Sequence, residues 1–130
     1  MFYAVRVKNV SLVGLDSSKV TNLSRMFQGG IVESVNFGSD FDTSHVTTMG
    51  QMFWRTTGIT SLDLSSFSSE SLLTVGEMFT GNTDLQSVTL GNSFTLSDVT
   101  SMAGMFNGCS SLESIDLSKI TFENVTTLKL

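Results

Sequence analysis

Cysteine, histidine and basic residues are scarce in this chain, and each scarcity removes a class of function. Cys109 is the single cysteine, so an internal disulfide framework is excluded and the redox compartment stays open. A reactive thiol needs a basic neighbour. None is visible around Cys109, which reads as a small, partly buried apolar residue. His45 is the single histidine. Only 7 Lys and Arg stand against 12 Asp and Glu in 130 residues, for a net charge of -5. The basic residues are scattered, with no basic stripe and no polybasic patch, which argues against a nucleic-acid partner. No segment reaches the run of ~18 apolar residues that would cross a membrane. Met1–Val10 lacks the apolar core of an export signal.

What is present is periodic. Hydrophobic residues make up 40% of the chain, charged residues 15%, and there are 10 Phe, so a folded domain is expected instead of a disordered one. A Met-Phe pair recurs at Met26-Phe27, Met52-Phe53, Met78-Phe79 and Met105-Phe106, in steps of 26, 26 and 27 residues. Self-similarity at such a period marks a solenoid or array.

A second pattern, apolar-x-x-apolar-x-apolar, lies upstream of each pair. It runs Val7, Val10, Leu12; Val32, Val35, Phe37; Ile59, Leu62, Leu64; Leu85, Val88, Leu90; and Leu112, Ile115, Leu117. The last two positions alternate with a polar residue, which is the strand signal. Stacked coils would set these strands parallel, ~4.8 Å apart, in one five-stranded ribbon about 20 Å wide. Further apolar residues follow at Val20, Val46, Leu72, Val99 and Val125, then at Leu23, Met49, Val75, Met102 and Leu128, then at the Met-Phe pairs. Their spacings of 3, 3 and 4 predict short helices or 3₁₀ turns. Asp42-Thr43-Ser44 and Ser97-Asp98 are N-cap candidates. Gly29, Gly81 and Gly108 fall where a helix would end in a left-handed turn, and Arg55 takes that position in the second unit.

The stretch Phe41-Asp42-Thr43-Ser44-His45-Val46-Thr47-Thr48-Met49-Gly50-Gln51-Met52-Phe53 resembles a unit of the 26-residue repeat of bacterial surface proteins, grouped with the BspA-like leucine-rich repeats. Ile59 to Phe67 and Gly108 to Ser118 resemble its strand half. The likeness runs from about Val7 to Leu130. It implies an α/β fold: a right-handed leucine-rich-repeat-like solenoid of about five parallel strands, with short helices or 3₁₀ turns on the opposite wall. It also implies a secreted or surface-anchored setting, in host-associated bacteria or in phages, and adhesion to partner proteins. No anchor motif and no long array accompany it here.

The organisation expected is one solenoid domain over residues 1–130, with units starting near residues 7, 32, 59, 85 and 112 and the last unit incomplete. Residues 1–8 form an N-terminal cap, with Tyr3 across the open end. Leu128 and Leu130 either cap the C-terminal edge or meet another molecule there, in an end-to-end or oligomeric contact.

No catalytic constellation is visible. The repeat equivalents of His45 are Lys19, Ser71, Asp98 and Asn124, which share no chemistry and read as a solvated turn. Asp63 and Asp116 share a strand position but lie two coils apart, ~10 Å, too far for a shared proton. Asp40 and Asp42 are a weak calcium candidate, and there is no Cys/His cluster for a metal. Asn9, Asn22 and Asn124 match the glycosylation triplet, which is frequent by chance. No enzyme activity, cofactor or metal is expected.

The candidate protein-binding residues are Trp54, Arg55, Asn36, Asp63, Thr89 and Asp116. Asn36, Asp63, Thr89 and Asp116 fall between core positions on the outward face of the ribbon, beside a column of Asn9, Ser34, Ser61, Ser87 and Ser114. Trp54 stands where the other units have Gln28, Thr80 and Asn107, and Arg55 adjoins it. Trp54 is either buried under the neighbouring turn or exposed as an interface anchor, a role that Arg55 beside it would strengthen. A non-enzymatic protein-binding module of the bacterial surface adhesion type is therefore expected, extracellular or at the cell surface. The alternative is a structural or assembly component, such as a phage virion decoration or fibre protein.

Overall fold

The computed structural model describes residues 4–127. Strands form where the apolar triplets fall: β1 (Asn9–Ser11), β2 (Ser34–Asn36), β3 (Ser61–Leu64), β4 (Ser87–Leu90) and β5 (Ser114–Ile115). They pair in parallel and join equivalent residues of successive repeats, Val10 with Val35, Leu62 with Val88, and Val88 with Ile115. Each repeat is thus one coil laid on the next.

The expected α/β class is overturned. Among the described residues there is no helix and no 3₁₀ segment. A right-handed leucine-rich-repeat-like solenoid with a helical wall does not describe this chain. The five-stranded ribbon is corrected as well, because β1–β2 and β3–β4–β5 are separate sheets. The break falls between β2 and β3, and Phe37, just after β2, stands where the other coils carry Leu12, Leu64, Leu90 and Leu117. Its ring packs edge-on against Phe27, Phe53 and Phe67, with the Phe67 centroid 4.8 Å away.

The segments predicted helical are chains of tight turns. The spacing of 3, 3 and 4 was real, but its hydrogen bonds alternate in direction. In the second coil the amides of Met52, Trp54 and Thr56 bond back three residues, to Met49, Gln51 and Phe53. The amides between them, of Met49, Gln51, Phe53 and Arg55, bond forward to Thr74, Gly76, Met78 and Thr80 of the next coil. An α-helix would spend every amide internally and leave none to join neighbouring coils. Backbone conformation enforces the pattern. Arg25, Gln51, Glu77 and Gly104 have φ of 59°, 58°, 55° and 66°, and Gly29, Arg55, Gly81 and Gly108 have φ of 66°, 52°, 76° and 76°. A left-handed residue every four positions stops a helix and completes a type II-like turn. Arg55 therefore adopts the same conformation as its glycine counterparts, at a cost of about 1–2 kcal/mol.

The core lies between the strand wall and this turn wall. Phe27, Phe53, Phe79 and Phe106 form a ladder with centroids 5.2, 5.7 and 5.2 Å apart and planes within 9° of parallel. Each such contact contributes ~0.5–1.5 kcal/mol beyond its burial. A second stack, Phe41 on Phe67 at 5.7 Å, fills the corner after the strands. Buried hydroxyls tie that corner from coil to coil. Ser17 accepts the Asp42 amide at 2.8 Å, Thr43 accepts the Ser68 amide at 2.8 Å, and Ser69 accepts the Leu96 amide at 2.9 Å.

Residues 4–8 run along the edge of the first coil, with Ala4 donating to Gln28 and Val7 to Ile31. The remainder of the expected N-terminal cap, including Tyr3, and the Leu128–Leu130 edge lie outside the described residues.

Candidate functional site

The six residues singled out in the sequence fall on two walls. Asn36, Asp63, Thr89 and Asp116 are exposed on the strand wall. Asp63 pairs directly with Thr89. Asn36, Asp63 and Asp116 are already engaged in local turns. Their side-chain oxygens accept the amides of Gly38, Ser65 and Ser118 at 3.0, 2.9 and 2.8 Å. These bonds close the turn after each strand, as short polar side chains do. The Ser65 and Ser118 hydrogen bonds hold the Asp63 and Asp116 carboxyls below their ordinary pKa. Two shallow grooves lie on this wall, one of about 650 Å³ at the β2–β3 seam and one of about 320 Å³ beside Thr89, Asp116 and Lys119.

Trp54 and Arg55 belong to the turn wall. Trp54 is half-buried, and the Arg55 guanidinium carbon stands 4.4 Å from the centre of its ring. Arg55 packs close to the next coil, where a Cβ on Gly81 would come within 2.9 Å of its Cγ. The aromatic–cation contact is formed within one chain, and both groups are spent on it in part.

A larger open feature lies on the wall whose apolar spacing predicts helices. A trough of about 850 Å³ runs along the turn wall across four coils. Its floor is Ser24, Gly50, Gly76 and Ala103. One rim is Asn22, Thr48 and Thr74, and the other is Arg25, Gln51, Glu77 and Gly104. The rows follow from the turn chain: each rim position recurs once per coil, and the coils are held in step by parallel bridges from Asn22 to Thr48 and from Thr48 to Thr74. The second rim is joined along its length. Arg25 Nε donates to Gln51 Oε1 at 2.8 Å, and Gln51 Nε2 donates to Glu77 Oε2 at 2.5 Å. Across the floor Ser24 and Thr48 hydroxyls meet at 2.8 Å. The signal in the sequence was the run of small residues two places after Asn22, Thr48, Thr74 and Ser101. Helical periodicity hid it.

The residues weighed for chemistry stay apart. His45 is exposed, and its Nδ1 lies 3.0 Å from the hydroxyl of adjacent Ser44. Asp42 accepts the Ser44 amide at 2.8 Å instead of orienting the imidazole. Asp40 accepts from the hydroxyl of adjacent Ser39. Among the described residues no three His, Cys, Asp or Glu side chains gather into a metal-binding group. Cys109 is half-buried, donates to the Phe79 carbonyl at 3.1 Å, and has its thiol pKa pushed up by burial. Among the described residues no helix is long and apolar enough to cross a membrane.

A family model described as "Mycoplasma protein of unknown function, DUF285" matches residues 1–114 and, in an overlapping second match, residues 67–130. No curated protein and no solved structure matches the chain.

Proposed function

This chain belongs to the DUF285 family, and we propose from that premise that it is a non-enzymatic protein-binding module of the bacterial surface adhesion type. The resemblance to the 26-residue BspA-like surface repeat supports that setting, extracellular or at the cell surface. The observation that carries the reading is the trough on the turn wall. It is open and about 850 Å³ in volume, and it repeats the same polar groups once per coil. Repeating rows suit an extended polypeptide, which repeats its own backbone groups along its length. A partner segment would lie over Gly50 and Gly76, where no side chain stands in the way, and exchange hydrogen bonds with the Thr48–Thr74 and Gln51–Glu77 rims.

The test is a peptide array of extended 15-residue segments, probed with the wild-type chain and with Gly76→Leu. An added Cβ at Gly76 meets nothing closer than 3.9 Å, so a side chain can start there and project into the trough. We expect peptide binding to fall tenfold or more at an unchanged melting temperature. Unchanged binding by Gly76→Leu, with Asp63→Ala on the strand wall weakening it, would move the site to the other wall and sink this reading.

A further inference from the structure

The trough on the turn wall has a charged rim with a fixed order and a fixed repeat distance, and together these select the shape of a ligand. We propose that the segment bound there is a left-handed polyproline II stretch carrying an acidic and a basic residue three positions apart, the acid at Arg25 and the base at Glu77. The proposal rests on the trough being the peptide site, and it names the kind of peptide.

Arg25, Gln51 and Glu77 hold one position in successive coils, so this rim runs from a cation through a neutral amide to an anion. The Gln51 amide is set by its neighbours: its oxygen accepts from Arg25 Nε and its nitrogen donates to Glu77 Oε2. Turning it over would face its NH₂ group to a cation and its oxygen to a carboxylate. The rim is therefore arranged before any partner arrives, which lowers the cost of binding. Both charged ends keep capacity. A guanidinium offers several N–H donors, and Arg25 gives its Nε to Gln51. Glu77 uses Oε2 on Gln51, which leaves Oε1. Both residues are exposed, and among the described residues neither stands in an ion pair. Two coil steps of ~4.8 Å put them ~10 Å apart, too far to pair with each other.

That distance discriminates between backbone shapes. A fully extended strand shows the same face every second residue, ~6.7 Å, and falls out of step with the coils at once. Polyproline II returns to the same edge every third residue, ~9.3 Å, close to two coil steps. An acid and a base three residues apart point to opposite faces of a strand. On polyproline II they share one edge. An α-helix spends its amides and carbonyls internally, whereas polyproline II leaves them free to bond the Thr48 and Thr74 hydroxyls of the opposite rim.

Leu73 adds an apolar contact. Its row runs Thr21, Thr47, Leu73, Thr100. The Thr47 hydroxyl donates to the Thr21 carbonyl at 3.1 Å. Leu73 has no hydroxyl to do the same, and at 56% exposure it does not fill the core either. It adjoins Thr74, on the rim that faces Glu77. A proline ring beside the basic residue would cover it and remove apolar surface from water.

The experiment measures fluorescence anisotropy of labelled proline-rich peptides of about 12 residues against the full chain. Glu and Lys stand three apart in one peptide, two apart in another, and are both replaced by Gln in a third. The wild-type chain should bind the first about tenfold more tightly than either control, and less so in high salt. Arg25→Gln and Glu77→Gln should each cost about fivefold with that peptide and leave the Gln peptide unchanged. Gln51 already holds the same left-handed conformation at this position, so both variants keep the turn. Equal binding of the three peptides overturns the proposal, and so does failure of all three to bind. Gly76→Leu separates the two readings. If array peptides are lost with Gly76→Leu while the proline-rich ones ignore charge spacing, the trough stands and the polyproline II assignment falls.

Discussion

Phe79 and Phe106 stack face to face at 5.2 Å in successive coils, yet Phe79 is fully buried and Phe106 is not. Phe79 has Phe53 on its other face, and no further ring lies beyond Phe106 among the described residues. The contrast is not shared by every column: Met105 and Ile120, the last described members of theirs, are buried, and Val35 and Leu90 inside the stack are only partly buried. Along the Phe ladder, full burial goes with a ring on each face. Stability is then close to a sum of coil–coil contacts, the regime of repeat proteins.

Breaking the Phe ladder gives the largest expected effect. Phe79→Ala removes a ring sandwiched between two others and should cost ~4 kcal/mol, while Phe106→Ala should cost about half of that. Urea unfolding of both variants measures the difference, and equal losses would mean that the end is covered in solution.

Backbone crowding gives the next effect. A Cβ at Gly91 would stand 2.1 Å from the Ser65 carbonyl oxygen of the coil beside it. Gly91→Ala should lower stability by ~3 kcal/mol through overpacking. Its last-coil counterpart is Ser118, and Ser118→Ala should change stability by no more than about 0.5 kcal/mol. Thermal melts of the two variants sharpen the contrast between interior and end.

The smallest effect is in pH. Asp63 in the interior and Asp116 at the end both have carboxyls held below their usual value, chiefly by hydrogen bonds from Ser65 and Ser118. A depressed carboxyl adds stability above its unfolded pKa of about 3.8, and that stability is lost as pH falls through the lower folded value. For exposed Asp63 solvent screening limits the contribution to a few tenths of a kcal/mol. The urea midpoint should therefore drop slightly below about pH 4, and Asp63→Asn should flatten that drop.

The difference between strand wall and turn wall explains what could be read from the sequence. The strands were legible because Val10, Val35, Leu62, Val88 and Ile115 alternate with polar neighbours, and period two has one structural meaning. The turn wall was not, because Leu23, Met26 and Phe27 recur at helical intervals that a chain of tight turns shares. The signs against a helix were left-handed residues such as Gln51 and Glu77, whose conformation their side chains do not announce. The strand-wall candidates were found as exposed residues, but their role as turn closers depends on a hydrogen bond two residues on. The trough escaped because its floor of Ser24, Gly50, Gly76 and Ala103 is defined by what is missing. Trp54 stands out of pattern in the sequence, but its contact with the Arg55 guanidinium, and the left-handed conformation of Arg55, are visible only in the fold.

Everything rests on amides of the turn wall reaching across to the next coil. Through-hydrogen-bond scalar couplings in a ¹⁵N,¹³C-labelled sample observe this directly. We expect the Phe53 nitrogen to couple to the Met78 carbonyl carbon, its partner at 2.9 Å. Coupling of Phe53 to the Met49 carbonyl instead would mean a helix on that wall and would contradict the coil-to-coil architecture.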